Sequence, residues 1–250
     1  MVLEIKDLHV ERNGQEIIKG FTATFHPGKI YTLMGPNGSG KSTLAYAIMG
    51  HPKYGIIQGT ILLNGKDITH EKAHLRAKAG LFLSFQYPVE VPGLSLSSFL
   101  RTAVNNLQGK KYSVMEFHAL LKEKMAILKI DPTLGKRDLN AGFSGGEKKR
   151  LEMLQLLLLK PSYALLDETD SGLDVDALKI VAQGIQEARK QKEMAIIVIT
   201  HYNQFLKYLQ PDEVLILVQG KIKAHGGYEL AQRIEKSGFD SFINKQETVS

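Results

Sequence analysis

The most constraining stretch of this 250-residue sequence is a single short loop. Gly35, Pro36, Asn37, Gly38, Ser39, Gly40, Lys41 and Ser42 fit the pattern G-x-x-x-x-G-K-[ST]. Residues 29–34 before it are strand-like, residues 43–49 after it are helical, and Gly50 is a plausible helix stop. In a strand–loop–helix of this kind, glycines let backbone N–H groups converge on phosphate oxygens. The following helix adds the positive end of its dipole. Lys41 then reaches the β- and γ-phosphates of a nucleotide, and the Ser42 hydroxyl serves as a Mg²⁺ ligand. A purely structural glycine-rich turn is the competing account, and the placement between strand and helix weighs against it.

The rest of the chain alternates strands with helices. Leu3 and Ile5, then Phe21, Ala23 and Phe25, alternate as half-buried strands do. Residues 60–63 and 81–85 read as further strands, with Asn64-Gly65 a turn. Strand character returns at 163–166, 195–199 and 214–218. Between 87 and 160 the character changes: Pro88 and Pro92 open a mostly helical stretch. Within it Ser113 and Glu116 make a capping box ahead of Phe117, Leu120, Leu121 and Leu128. Ser144 and Glu147 make a second ahead of Leu151, Leu154 and Leu158. The expected fold is α/β, a parallel sheet interrupted by a helical insertion, with a ligand at the carboxyl ends of the strands. The expected division is a catalytic core of residues 1–86 and 161–243, a helical subdomain of 87–160, and a polar, flexible tail of 244–250.

Composition narrows the function classes. The chain is 43% apolar and 23% charged, ordinary globular usage. It has no cysteine, so it offers no disulfide, thiol chemistry or cysteine-held cluster. The start lacks a signal-peptide layout, and no apolar run approaches the roughly 18 residues of a membrane span. A soluble, cytoplasmic protein is expected, without direct membrane insertion. The net charge of +6 comes from scattered basic residues. The one tight run, Lys148, Lys149 and Arg150, reads as a solvated helix face, and nucleic acid is not an expected partner.

Further chemistry lies at strand ends. Asp167 and Glu168 close the apolar strand 163–166. Asp167 suits a Mg²⁺ ligand, either direct or one shell out, and Glu168 suits the base that polarises a water attacking the γ-phosphate. His201 follows the strand 195–199 and could hold that water, while Gln86 follows the strand 81–85 and could ligate Mg²⁺. Phe143, Ser144, Gly145, Gly146 and Glu147 open a helix whose N-terminus could bind phosphate, although the capping box alone would explain them.

The order of P-loop, Gln86, Ser-Gly-Gly-Glu, Leu-Leu-Asp-Glu, Ser171-Gly172-Leu173-Asp174 and His201 resembles the ATP-binding cassette (ABC) ATPase family across essentially the whole chain. The resemblance implies a P-loop NTPase with a mostly parallel core sheet, an antiparallel β subdomain and an inserted helical subdomain. It makes Gly35 through Thr43 the Walker A loop, Gln86 the Q-loop, Asp167 the Walker B acid, Glu168 the catalytic base, Asp174 the D-loop acid and His201 the switch histidine. Ser144, Gly145 and Gly146 would bind the γ-phosphate of Mg²⁺–ATP held by a second copy, giving a transient ATP-dependent homodimer. One departure is Arg12, which falls where family members often place an aromatic residue against adenine; a guanidinium can also stack there. The segments Phe85 through Gly93, Phe-Ser-Gly-Gly-Glu-Lys-Lys-Arg, Thr169-Asp170-Ser171-Gly172-Leu173-Asp174 and His201-Tyr202 are similar to the SufC branch of the family. That branch implies soluble SufB/SufD-type scaffold partners in iron–sulfur cluster assembly. The alternatives are the nucleotide-binding subunit of an importer and a soluble ATPase acting on nucleic acid.

Overall fold

The computed structural model describes residues 2–85, 89–191, 193–200 and 203–243. The chain opens with an antiparallel hairpin, β1 (Leu3–Arg12) and β2 (Gln15–Phe25). Its alternation buries Leu3, Ile5, Leu8 and Val10 against Ile18, Phe21 and Phe25. β3 (Ile30–Met34) is buried at every position and runs into the glycine-rich loop, then into α1 (Lys41–Met49). β4 (Gly55–Leu63) returns to pair with β1, and the short β5 (Lys66–Asp67) closes a four-stranded antiparallel sheet of order β2-β1-β4-β5.

α2 (Ala73–Lys78) leads into β6 (Leu81–Ser84). The following segment is not wholly helical. β7 (Val91–Ser95) pairs with β8 (Asp138–Leu139) across the base of the insertion, bracketing α3 (Leu96–Gln108), α4 (Val114–Ile127) and a 3₁₀ turn over Pro132–Lys136. α5 (Gly145–Leu159) follows. Both expected capping boxes form, Ser113 with Glu116 and Ser144 with Glu147. Each satisfies two N-terminal backbone donors reciprocally.

The core then resumes with β9 (Tyr163–Asp167), α6 (Val175–Gln191), β10 (Ala195–Ile199), α7 (Asn203–Leu209), β11 (Glu213–Val218), β12 (Lys221–Gly226) and α8 (Tyr228–Ser237). The large sheet has the order β12-β11-β3-β10-β9-β6, with β12 antiparallel and the others parallel. The fold is thus a mostly parallel core sheet, an antiparallel sheet and inserted helices, as the sequence motifs imply. Burial explains why the parallel strands read as continuous apolar runs: β3, β9 and β10 are covered on both faces. One core cluster joins the insertion to α6 and the sheet, and a second joins the antiparallel sheet to α1. Among the described residues no helix is long and apolar enough to cross a membrane.

Candidate functional site

Parallel strands all present their carboxyl ends on one edge, and here those ends carry the polar residues. β3 delivers the glycine-rich loop, β10 ends next to Thr200, β9 ends in Asp167 and β6 ends in Ser84. The register sets Ile199 of β10 beside both Leu33 and Asp167, so the strand carrying the loop and the strand carrying the acids flank β10 on either side.

The loop is held by close backbone approach. Gly35 sits at φ +158 with the Leu217 carbonyl 2.0 Å from where a Cβ would stand, so a side chain is excluded. Ser39 accepts a 2.9 Å hydrogen bond from the Gly220 N–H in the β11–β12 turn. That turn accepts in its own right, from the Lys19 N–H of β2 at 3.0 Å. Lys41 is buried and donates to the carbonyls of Gly35 and Pro36 at 2.8 and 3.0 Å. Burial lowers the Lys41 pKa, and the charges of Glu168 and Asp167 oppose that shift. Asn37 and Gly38 are exposed at the loop tip, Gly40 is the N-cap of α1, and Ser42 and Thr43 occupy its first turn.

Ser42 Oγ donates to Asp167 Oδ1 at 3.1 Å, which joins two motifs separated by 125 residues. Asp167 is fully buried, its N–H donates to Ser84 Oγ at 3.0 Å, and its Oδ2 has no hydrogen-bond partner. Burial pushes the Asp167 carboxyl up to about 6; the Ser42 hydrogen bond opposes this and the Glu168 charge adds to it. Two hard oxygen ligands side by side, one of them a carboxylate with an unused buried oxygen, fit the donor set of a Mg²⁺ ion. Held there by Ser42 and Asp167, such an ion would neutralise the charge of nucleotide phosphates.

Glu168 follows at φ +50, a conformation uncommon for a residue with a side chain, and its N–H is tied to the Ile199 carbonyl at 3.0 Å. Asp174 lies further along the same loop. Its side chain accepts from the Ala177 N–H at 2.7 Å, so it caps α6. Ser144 and Gly145 are exposed at the start of α5, whose helix neighbours are α3, α4 and α6, whereas α1 packs on α2, β6 and the antiparallel sheet. One chain therefore brings Lys41, Ser42, Asp167 and Glu168 together and leaves the Ser-Gly-Gly surface on a different body of the fold. Gln86 and His201 lie outside the described residues, as do Tyr87, Pro88, Tyr202 and the tail 244–250.

Three features differ from the sequence reading or escape it. Lys149 is not on a solvated face: it is buried, with its ammonium 3.5 Å from the buried Glu152 carboxylate. Burial raises Glu152 to about 7, against the pull of Lys149. The reason is position, because α5 is packed on several sides and a run of three cations spans nearly one helical turn. Arg12 stands over the Tyr54 ring at 5.6 Å, and Tyr54 in turn stacks on Tyr46 of α1 with centroids 5.3 Å apart. Ser84 supports Asp167, and Thr200 Oγ1 donates to Asp170 Oδ2 at 2.5 Å in the loop beyond the acids. Ser84 was detectable only as a polar residue ending an apolar strand.

A glycine-rich phosphate loop, its lysine and hydroxyl, and an acid pair at the end of β9, the next strand but one, define a P-loop nucleoside-triphosphatase. The chain belongs to the ABC transporter family of ATP-binding cassettes, whose sequence profile matches residues 18–171. Members of this family bind and hydrolyse ATP. "Vegetative protein 296" of Bacillus subtilis strain 168 is 50% identical over 240 residues, covering 95% of this chain and 92% of its own. The "Probable ATP-dependent transporter ycf16" of Cyanophora paradoxa is 46% identical over 252 residues, covering 99% and 96%. Among solved structures, an ATP-binding subunit of an ABC transporter matches with a TM-score of 0.79 at 24% identity, covering 97% of this chain and 98% of its own. A dimeric bacterial ABC transporter cassette matches with a TM-score of 0.78 at 17% identity, covering 90% and 98%. At these identities the structures speak to the fold.

Proposed function

We propose that this chain hydrolyses Mg²⁺–ATP at a site completed by a second copy facing it head to tail, and that it works on a soluble SufB/SufD-type scaffold in iron–sulfur cluster assembly. The observation that carries the ATPase reading is the Ser42–Asp167 hydrogen bond, with Lys41 and Glu168 beside it. In this reading the loop Gly35 through Thr43 and Lys41 grip the phosphates. Ser42, Asp167 and Gln86 hold the metal, Glu168 takes the proton of the attacking water, and His201 positions it. Ser144, Gly145, Gly146 and Asp174 serve the partner's nucleotide.

The scaffold reading rests on the SufC-like segments of the sequence and on a surface. Phe85, Val89 and Val91 are exposed at 48%, 77% and 37% and lie around one apolar groove of about 260 Å³ between β6 and the insertion. Exposed apolar residues gathered in a groove mark a docking site. A transporter role, such as the importer reading, also has support, from one relative named as a probable ABC transporter ATP-binding protein and another as a probable ATP-dependent transporter. Affinity purification from native cells separates the two. Co-purification of a soluble scaffold, abolished by Val89→Asp with Val91→Asp while ATP still binds, supports the assembly role. Recovery of an integral membrane protein would replace it with the importer role.

A further inference from the structure

The outer edge of β2 is tied down at two points and open between them. At one end the Lys19 N–H donates to the Gly220 carbonyl at 3.0 Å. At the other the His26 N–H donates to Tyr31 Oη at 2.8 Å. β2 is terminal in its sheet, and among the described residues no backbone hydrogen bond leaves this edge over residues 20–25. That is about 17 Å of unpaired strand. A cleft of about 450 Å³ runs along it, and the consecutive residues Thr22, Ala23, Thr24 and Phe25 all line that cleft. Neighbouring residues on a strand point to opposite faces, so four in a row on one cleft place the cleft along the strand's edge, where N–H and C=O groups project.

The chemistry of the other walls selects an occupant. The floor is the face of the large sheet, where the partly exposed Ile222, with Ala23 of β2 beside it, supplies apolar surface over the buried Tyr31 and Leu215. Lys19 and Lys221 are exposed along the cleft beside His225. The acid within it, Glu213, is already engaged by Lys29 at 2.5 Å and His225 at 2.8 Å. The uncompensated charge facing the cleft is therefore positive.

We infer that this cleft is a docking site for an extended acidic segment of a partner polypeptide, which adds as a strand to the outer edge of β2. Backbone pairing supplies the affinity, apolar side chains meet the floor, and carboxylates meet Lys19 and Lys221. The site also touches the nucleotide loop: Lys19 holds the Gly220 carbonyl, and the Gly220 N–H holds Ser39. An added strand thereby stiffens the support of the phosphate loop and changes its affinity for ATP.

The test uses the full chain and two acetylated hexapeptides, one alternating valine with glutamate and one alternating valine with lysine. Amide hydrogen exchange over residues 20–25 should slow at least about tenfold with the acidic peptide and not with the basic one. The exposed-surface pair Lys19→Glu with Lys221→Glu should reverse that preference. ATP affinity should shift about fivefold or more when the acidic peptide is bound. No protection at saturating peptide, equal protection by both peptides, or protection confined to other strands would overturn the site. Protection with unchanged ATP affinity would refute the coupling. If residues 20–25 are protected without peptide in a nucleotide-independent dimer, the edge pairs with a second copy and the partner site is wrong.

Discussion

Burial holds the Asp167 carboxyl at about 6, against an ordinary value of 3.8, so the folded chain binds this proton more tightly than the unfolded chain does. The sign follows: stability falls as pH rises through that window and stays low above it. Asp167→Asn keeps an acceptor for Ser42 and removes the buried charge. It should stabilise the protein by about 1–2 kcal/mol at pH 8 and by little near pH 4, measured by urea unfolding at both values. The same change should abolish Mg²⁺-dependent hydrolysis if, as proposed, this carboxylate holds the metal. Glu168 poses a different question, since its backbone strain is independent of its charge. Glu168→Gln preserves shape and φ but cannot take a proton. Single-turnover hydrolysis should drop by about 10²-fold or more while ATP binding persists; near-normal turnover would remove Glu168 from its role. These residues were legible because the P-loop and the acid pair each occupy contiguous positions whose spacing is dictated by phosphate geometry. Ser84 beneath Asp167 and the burial of Lys149 were not, because both are set by contacts between distant segments.

Elements were legible where burial leaves a one-dimensional trace. The alternation of β1 and β2 and the apolar runs of β3, β9 and β10 announce strands, and the two capping boxes fix the starts of α4 and α5. α6 was not read from the sequence, although Leu178, Val181, Ile185 and Ala188 are buried at helical spacing. β7 and β8 carry none, because they are short and exist through each other, Val91 opposite Leu139. β12 alternates lysine and histidine with small or partly buried residues, so its apolar signal is weak. Its turn nevertheless matters to the site. Gly220 at φ +80 donates to Ser39, and a Cβ there would stand 2.0 Å from the Ile17 carbonyl. Backbone on both sides leaves no rotamer to relieve that contact. Gly220→Ala should therefore lower stability by about 3 kcal/mol and weaken ATP binding together, read by thermal unfolding and calorimetry. A stable variant with unchanged affinity would show that the turn does not support the loop.

At the scale of the whole molecule, the separation between α1 and α5 decides what one chain can do. Lys41, Ser42, Asp167 and Glu168 converge on the edge of the large sheet, while Ser144 and Gly145 are exposed at the start of α5 in the insertion. The Ser144 side chain is committed to the Glu147 N–H at 3.2 Å; the first N–H groups of a helix have no intrahelical partner, and with Ser144 and Gly145 exposed this start is accessible to an anion. If two chains face each other head to tail, each nucleotide is held between one P-loop and the opposite helix start, so ATP is part of the interface. ATP then drives assembly, and hydrolysis releases it. Glu168→Gln with Mg²⁺–ATP should accumulate dimer by light scattering, and ADP should yield much less. Adding Ser144→Arg places a bulky side chain at the phosphate surface and should return the protein to monomer while leaving the intrinsic P-loop intact. Because Ser144 also caps α5, Ser144→Thr serves as the control: it keeps the capping hydroxyl and should still dimerise. Dimer formation that ignores the nucleotide, or that survives Ser144→Arg, would refute the shared site.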